Sequence, residues 1–269
     1  MNQENIYIFL ITIFFVWGGI GFIRPDLHRK SAQYAIYWMS LSAALAILGI
    51  AHEIFIYNQF IIFGFAQALA LTTVLSLFLM PILVNDKTII AYFSPLWYLI
   101  ATLALICAYF FPAENKVEFN NLAFEIHFFL SMFAYALFTI WAIVVVILLI
   151  QSSRLHNPYS VEKFKLLPPL LIIEKHSLWL GRLTLIFLTL VLISGLIYSE
   201  IIFGRIELSH KLIFTAISWI VVLIIILGQI LRNWRGQKIN IAILVSYGLI
   251  LLAYIGYRFI LEIFILSGN

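Results

Sequence analysis

Charge-poor apolar runs recur along the whole chain, at roughly 5 to 23, 33 to 57, 60 to 84, 88 to 111, 122 to 150, 177 to 203, 210 to 231 and 239 to 265. Each approximates the ~20 residues that an α-helix needs to cross the hydrocarbon core of a bilayer. A soluble chain of 269 residues needs enough charged surface to cover its core. Here 64% of residues are apolar and 10% charged, with the charges gathered in the breaks between runs. The pattern predicts an all-α polytopic membrane protein, a bundle of about eight transmembrane helices forming a single transmembrane domain over residues 1–269, with no soluble domain left over. The first run follows MNQENIYIFL, with Glu4 and no basic residue before it, and no small-residue cleavage site after it. It reads as a first transmembrane helix and not as a removed signal peptide.

Charge orients the bundle, because short loops rich in Lys and Arg stay cytoplasmic. Arg24, Arg29 and Lys30 follow the first run, Lys87 the third, Arg154, Lys163, Lys165 and Lys175 the fifth, and Arg232, Arg235 and Lys238 the seventh. The alternate loops are mixed, with Lys116 between Glu114 and Glu118 and Arg205 between Glu200 and Glu207. Both termini are therefore expected outside the cytoplasm. The net charge of +4 is accounted for by this asymmetry, so the lipid bilayer is the partner it implies and no nucleic acid is expected. The longest break, residues 151–176, is a cytoplasmic connecting segment with an apolar LLPPLLII core. It suits either an interfacial strip meeting anionic headgroups through Lys163 and Lys165 or a docking surface, and Pro168-Pro169 is expected to end any helix there.

With that orientation His28, His156 and His176 fall at cytoplasmic edges, whereas His52, His127 and His210 fall toward the outer face. His127 sits one to two turns inside its run, among Phe124, Ile126, Phe128 and Phe129, where an imidazole wants a partner. Tyr254, Arg258 and Glu262 recur at i, i+4, i+8 and share one face of the eighth run. Arg258 either snorkels toward outer headgroups or presents its planar fork to a carboxylate or phosphate, while Arg182 reads as snorkelling. Neutral imidazoles, aromatic walls and an arginine suit haem, with its iron ligands and propionates. A quinone pocket uses similar residues, and a zinc site lacks carboxylates at ligand spacing. The one cysteine, Cys107, excludes an intrachain disulfide and a C-x-x-C-H haem attachment, and reads as filler or lipid-facing. Ser131, four residues from His127, has no oriented acid to complete a triad and reads as a packing residue. Glycines 18, 19, 21, 195, 248 and 256 read as close helix contacts.

Several segments carry a resemblance: H-F-F-L-S-M-F-A-Y-A from His127, L-L-P-P-L-L-I-I-E-K from Leu166, L-W-L-G-R-L-T-L from Leu178, S-G-L-I-Y from Ser194, S-H-K-L-I-F from Ser209, R-N-W-R-G from Arg232 and L-A-Y-I-G-Y-R-F-I-L-E from Leu252. Their order and spacing resemble the cytochrome c assembly membrane-protein family, in its short HemX-like and YpjD-like branch, over residues 120–265. The resemblance implies a multi-pass protein of the bacterial inner (cytoplasmic) membrane that binds or handles haem, alongside another membrane or cytochrome-biogenesis protein. It implies His127 as a haem ligand, and the outer-face residues add His210 as the other member of the axial pair, His52 as a third candidate and Arg258 near a propionate. The family's W-G-x-x-W-x-W-D segment is missing, with SEIIFGRIELSHK in its place, and Gln229 and the Glu262 region stand near where later histidines are expected. These departures argue against haem ligase activity, and the lack of a covalent-catalysis constellation argues against an enzyme. The rival reading is an accessory or regulatory subunit, such as a HemX-like controller of haem synthesis, acting through its cytoplasmic loop.

Overall fold

The computed structural model describes residues 12, 13, 16, 60–62, 65–84, 86–110, 116–118, 122–155, 169–203 and 210–252. Among them are six helices: α1 (Phe65–Leu83), α2 (Lys87–Phe110), α3 (Leu122–Leu155), α4 (Leu170–Phe203), α5 (His210–Arg232) and α6 (Gln237–Leu251). They coincide with the last six expected runs. The run at 33 to 57 and most of that at 5 to 23 lie outside the described residues. Stretches in α1, α3, α4 and α5 are long and apolar enough to cross a membrane, and α2 and α6 carry shorter apolar stretches. The chain divides into two compact units, residues 1–120 and 121–269.

In the first unit α1 and α2 form a hairpin whose short turn is closed by Asp86, its Oδ1 accepting from the Ile89 N–H at 3.1 Å, as a helix N-cap does. The buried Trp97 indole donates to Ser76 Oγ at 2.8 Å, and Gln67 Nε2 donates to the Ala108 carbonyl at 3.2 Å. At the other end β1 (Phe60–Ile62) pairs antiparallel with β2 (Lys116–Glu118), Ile61 opposite Val117. This corrects two expectations. The third run is not helical from residue 60, and the break after the fourth holds a strand. The ribbon ties the segment entering α1 to the segment leaving α2, which satisfies backbone groups that irregular chain would leave open.

In the second unit the helices close a ring: α3 packs on α4, α4 on α5, α5 on α6 and α6 on α3. A side-chain hydrogen bond crosses every seam. Trp141 Nε1 donates to Ser177 Oγ at 3.1 Å between α3 and α4, and Trp219 Nε1 to Thr189 Oγ1 at 2.8 Å between α5 and α4. Ser218 Oγ donates to the Ser246 carbonyl at 2.8 Å between α5 and α6, and the Thr139 and Tyr247 hydroxyls hydrogen-bond at 2.9 Å between α3 and α6. In a bilayer lipid is as apolar as the core, so tight packing and such bonds, at about 0.6 kcal/mol each, hold helices together.

Small residues set how closely these helices approach. A Cβ at Gly181 would stand 2.7 Å from Trp141 Cζ2 and 2.8 Å from Ile226 Cδ1, and one at Gly228 would run into the Trp234 indole. The expected close contact is present at Gly195, but Gly248 faces open space within 4 Å. Glycines 18, 19, 21 and 256 lie outside the described residues. The R-N-W-R-G turn follows from the same packing. Asn233 takes a positive φ of 50° and Gly236 one of 103°, which these residue types accept. The Trp234 N–H then donates to the Gly228 carbonyl at 3.1 Å, folding the indole back over that glycine.

The segment 151–176 is helical at both ends, continuing α3 to Leu155 and starting α4 at Leu170. Pro168 lies outside the described residues; Pro169 stands directly before α4, its carbonyl accepting from Ile172 N–H at 2.9 Å, where proline's missing N–H costs nothing. Beside that start Arg235 Nη1 meets Glu174 Oε2 at 3.3 Å, with side chains 50% and 21% exposed. Glu174→Gln is expected to change unfolding free energy in detergent by less than about 1 kcal/mol, as exposed ion pairs do. A larger drop in a thermal melt would show the pair to be structural.

Candidate functional site

His127 lies one turn into α3, half-buried, with its ring turned into the seam with α4. Its Nδ1 is 3.0 Å from Ser194 Oγ. The Ser194 hydroxyl also reaches the Val191 carbonyl at 3.1 Å; with its proton on that carbonyl, Oγ is left to accept from Nδ1–H, the tautomer that carries its lone pair on Nε2. Gly195 makes room for the ring: a Cβ there would be 3.1 Å from His127 Cε1 and 3.9 Å from Nε2. One turn on, Ser131 Oγ donates to the His127 carbonyl at 2.7 Å. That bond stays within α3, and Ser131 is buried.

The first turn of α5 reaches the same place, for Lys211 is close enough to act electrostatically on His127. His210, one residue earlier, opens α5, and its side chain lies outside the described residues. His52, Arg258, Tyr254 and Glu262 also lie outside them. Three of the segments singled out by sequence therefore meet at one end of the bundle: the one from His127, the one from Ser194 and the one from Ser209. Among the described residues no group of three or more His, Cys, Asp and Glu side chains could hold a metal ion.

An apolar groove of about 490 Å³ opens at the same end, lined by Leu122, Glu125, Ile126, Phe129, Leu130, Phe133 and Phe187. Phe133 and Phe187 stack across it with centroids 5.9 Å apart. His127 does not line it. At about 100° per residue the imidazole is rotated well away from the strip of α3 that does. Of the residues that position His127, reasoning from sequence had named Ser131 and Gly195 for packing but not Ser194 or Lys211. The S-G pair at 194–195 was visible as part of a motif, yet only the register of α4 against α3 assigns it to His127.

The profile of the family described as Cytochrome C assembly protein matches residues 5–265. The inner membrane protein YpjD of Escherichia coli strain K12 is 26% identical over 170 residues, 63% of this chain and 64% of that protein, and its counterpart in E. coli O157:H7 matches equally. The aligned part thus spans just under two thirds of these relatives' length. No solved structure matches the chain.

Proposed function

We propose that this chain, which belongs to the cytochrome c assembly protein family, binds or handles haem as a multi-pass protein of the bacterial inner membrane, with His127 as an axial ligand. The observation that carries this reading is the 3.0 Å hydrogen bond between Nδ1 and Ser194 Oγ. Ligating histidines almost always donate their other ring N–H to an acceptor, which fixes tautomer and ring orientation. Gly195 supports the same pose by leaving room for the ring edge. His210 is the second candidate ligand, at the start of the helix whose Lys211 neighbours His127, with His52 third and Arg258 the candidate partner of a propionate.

Haem, when bound, supplies an iron that takes imidazole ligands. The chain's own part is to hold His127 in one pose through Ser194 and to leave room for its ring at Gly195. The groove at Phe133 and Phe187 does not belong to this site, because His127 does not line it. The test is an absorption spectrum of detergent-purified full-length protein, oxidised and reduced, before and after addition of haemin. A Soret band with low-spin imidazole features is expected. A spectrum that stays blank after haemin sinks the proposal.

A second reading, an accessory subunit acting through the connection between α3 and α4, is favoured by helix length. Both helices have 34 residues, about 51 Å at 1.5 Å per residue against about 30 Å of hydrocarbon. Their connection can therefore stand clear of the bilayer, where a protein partner has access to it. Scrambling residues 156–168 would then abolish the cellular phenotype and His127→Ala would leave it intact. Ile173 is fully buried, so the scrambled segment must stop short of it.

A further inference from the structure

Every exposed residue of α4 from Leu171 to Ile197 falls on one strip: Leu171, Ile172, Lys175, Trp179, Arg182 and Ile186 near its start, and aliphatic side chains beyond. At 100° per residue Lys175, Trp179 and Arg182 lie within about 60° of one another and span about 10.5 Å of helix axis. They stand where the strip changes from charged to wholly aliphatic, with Ile186 56%, Leu190 40% and Ile193 50% exposed. That transition marks the edge of the hydrocarbon on the outer surface of this helix. Trp179 is 46% exposed there, the position an indole takes at a membrane interface.

Among the described residues the one ion pair at this end joins Arg235 to Glu174 and engages neither Lys175 nor Arg182. That pair brings the α5–α6 turn against the start of α4, and Arg232, Arg235 and Lys238 in and around the turn are exposed too. The end is therefore crowded with cations, and two of them face the bilayer across an aromatic ring.

We propose that Lys175, Trp179 and Arg182 form a binding site on the outer face of α4 for the headgroup of an anionic phospholipid. The guanidinium and the ammonium bracket the phosphate from positions two turns apart, the indole lies at the level of the ester groups, and the acyl chains run along Ile186, Leu190 and Ile193. Arginine suits this role because its fork gives a phosphate two parallel N–H bonds, while lysine adds a point charge. A zwitterionic lipid carries its own ammonium beside the phosphate, which the two cations repel. Simple snorkelling to bulk water makes no such distinction between lipids.

The full chain is reconstituted in phosphatidylcholine vesicles containing a fixed fraction of phosphatidylglycerol or phosphatidylcholine with brominated acyl chains. The chain has seven tryptophans, so the difference between wild type and Trp179→Phe isolates the emission of Trp179. Quenching of that emission is expected to be stronger with the brominated anionic lipid. Lys175→Gln and Arg182→Gln are expected to weaken the preference roughly fivefold each, the effect of about one cation near a charged bilayer, and the pair Lys175→Arg with Arg182→Lys to retain it. Equal quenching by the two lipids in wild type overturns the site, whatever the variants do. So does a preference that survives loss of both charges.

Discussion

Trp141→Ala is expected to lower the unfolding free energy of the protein in detergent by roughly 3 kcal/mol or more, the range for removing a large aromatic from a packed core. Trp141 is fully buried, stacks on Phe138 with centroids 5.4 Å apart, and donates to Ser177. Its ring fills the space left by the missing side chain of Gly181, where Ile226 of α5 also arrives. Removing the indole leaves a void where three helices meet, and in a bilayer the lost packing is not replaced by a hydrophobic gain elsewhere. Gly181→Leu tests the same contact from the other side, since even its Cβ collides with the ring. Trp141→Phe should cost less, keeping most of the ring while losing the bond to Ser177. A loss below about 1 kcal/mol for Trp141→Ala would mean that the α3–α4 seam is held elsewhere.

His127→Ala is expected to abolish the low-spin Soret band that haemin produces in the wild-type protein, because it removes the proposed iron ligand itself. Ser194→Ala should keep the band but weaken haem affinity on the order of 10–100-fold, the usual effect of losing the residue that orients a ligating imidazole. Gly195→Ala puts a methyl group 3.1 Å from His127 Cε1, so the ring must shift and the spectrum with it. This graded series separates ligation from stability. A general loss of fold would remove the band in all three variants and show in the helical circular dichroism, whereas ligation predicts full loss only at His127. An unchanged titration in His127→Ala would leave the imidazole as a seam residue whose partner is Ser194.

The positions of the helices were legible because hydrocarbon imposes a length, and runs such as 88 to 111 and 210 to 231 match α2 and α5 within a residue. The boundaries that were misread sit where that rule has no grip. Phe60–Ile62 is apolar enough for a span yet pairs as a strand with Lys116–Glu118. Composition had also singled out His127, because a polar ring inside an apolar run is conspicuous whatever surrounds it.

Which way each helix faces was decided only by the tertiary structure. In a soluble helix the apolar stripe points inward, but here the lipid side and the core side are both apolar, so α3 carries no stripe to read. Gly248 faces open space while Gly181 and Gly228 receive tryptophans, and the three look alike in the sequence. The same degeneracy hid Ser194 as the partner of His127 and hid the lipid-facing strip that joins Lys175, Trp179 and Arg182. The sequence alone determined which segments enter the membrane, because that depends on each segment's own composition and length. Which residues meet depends on packing between segments, and only the fold decided that.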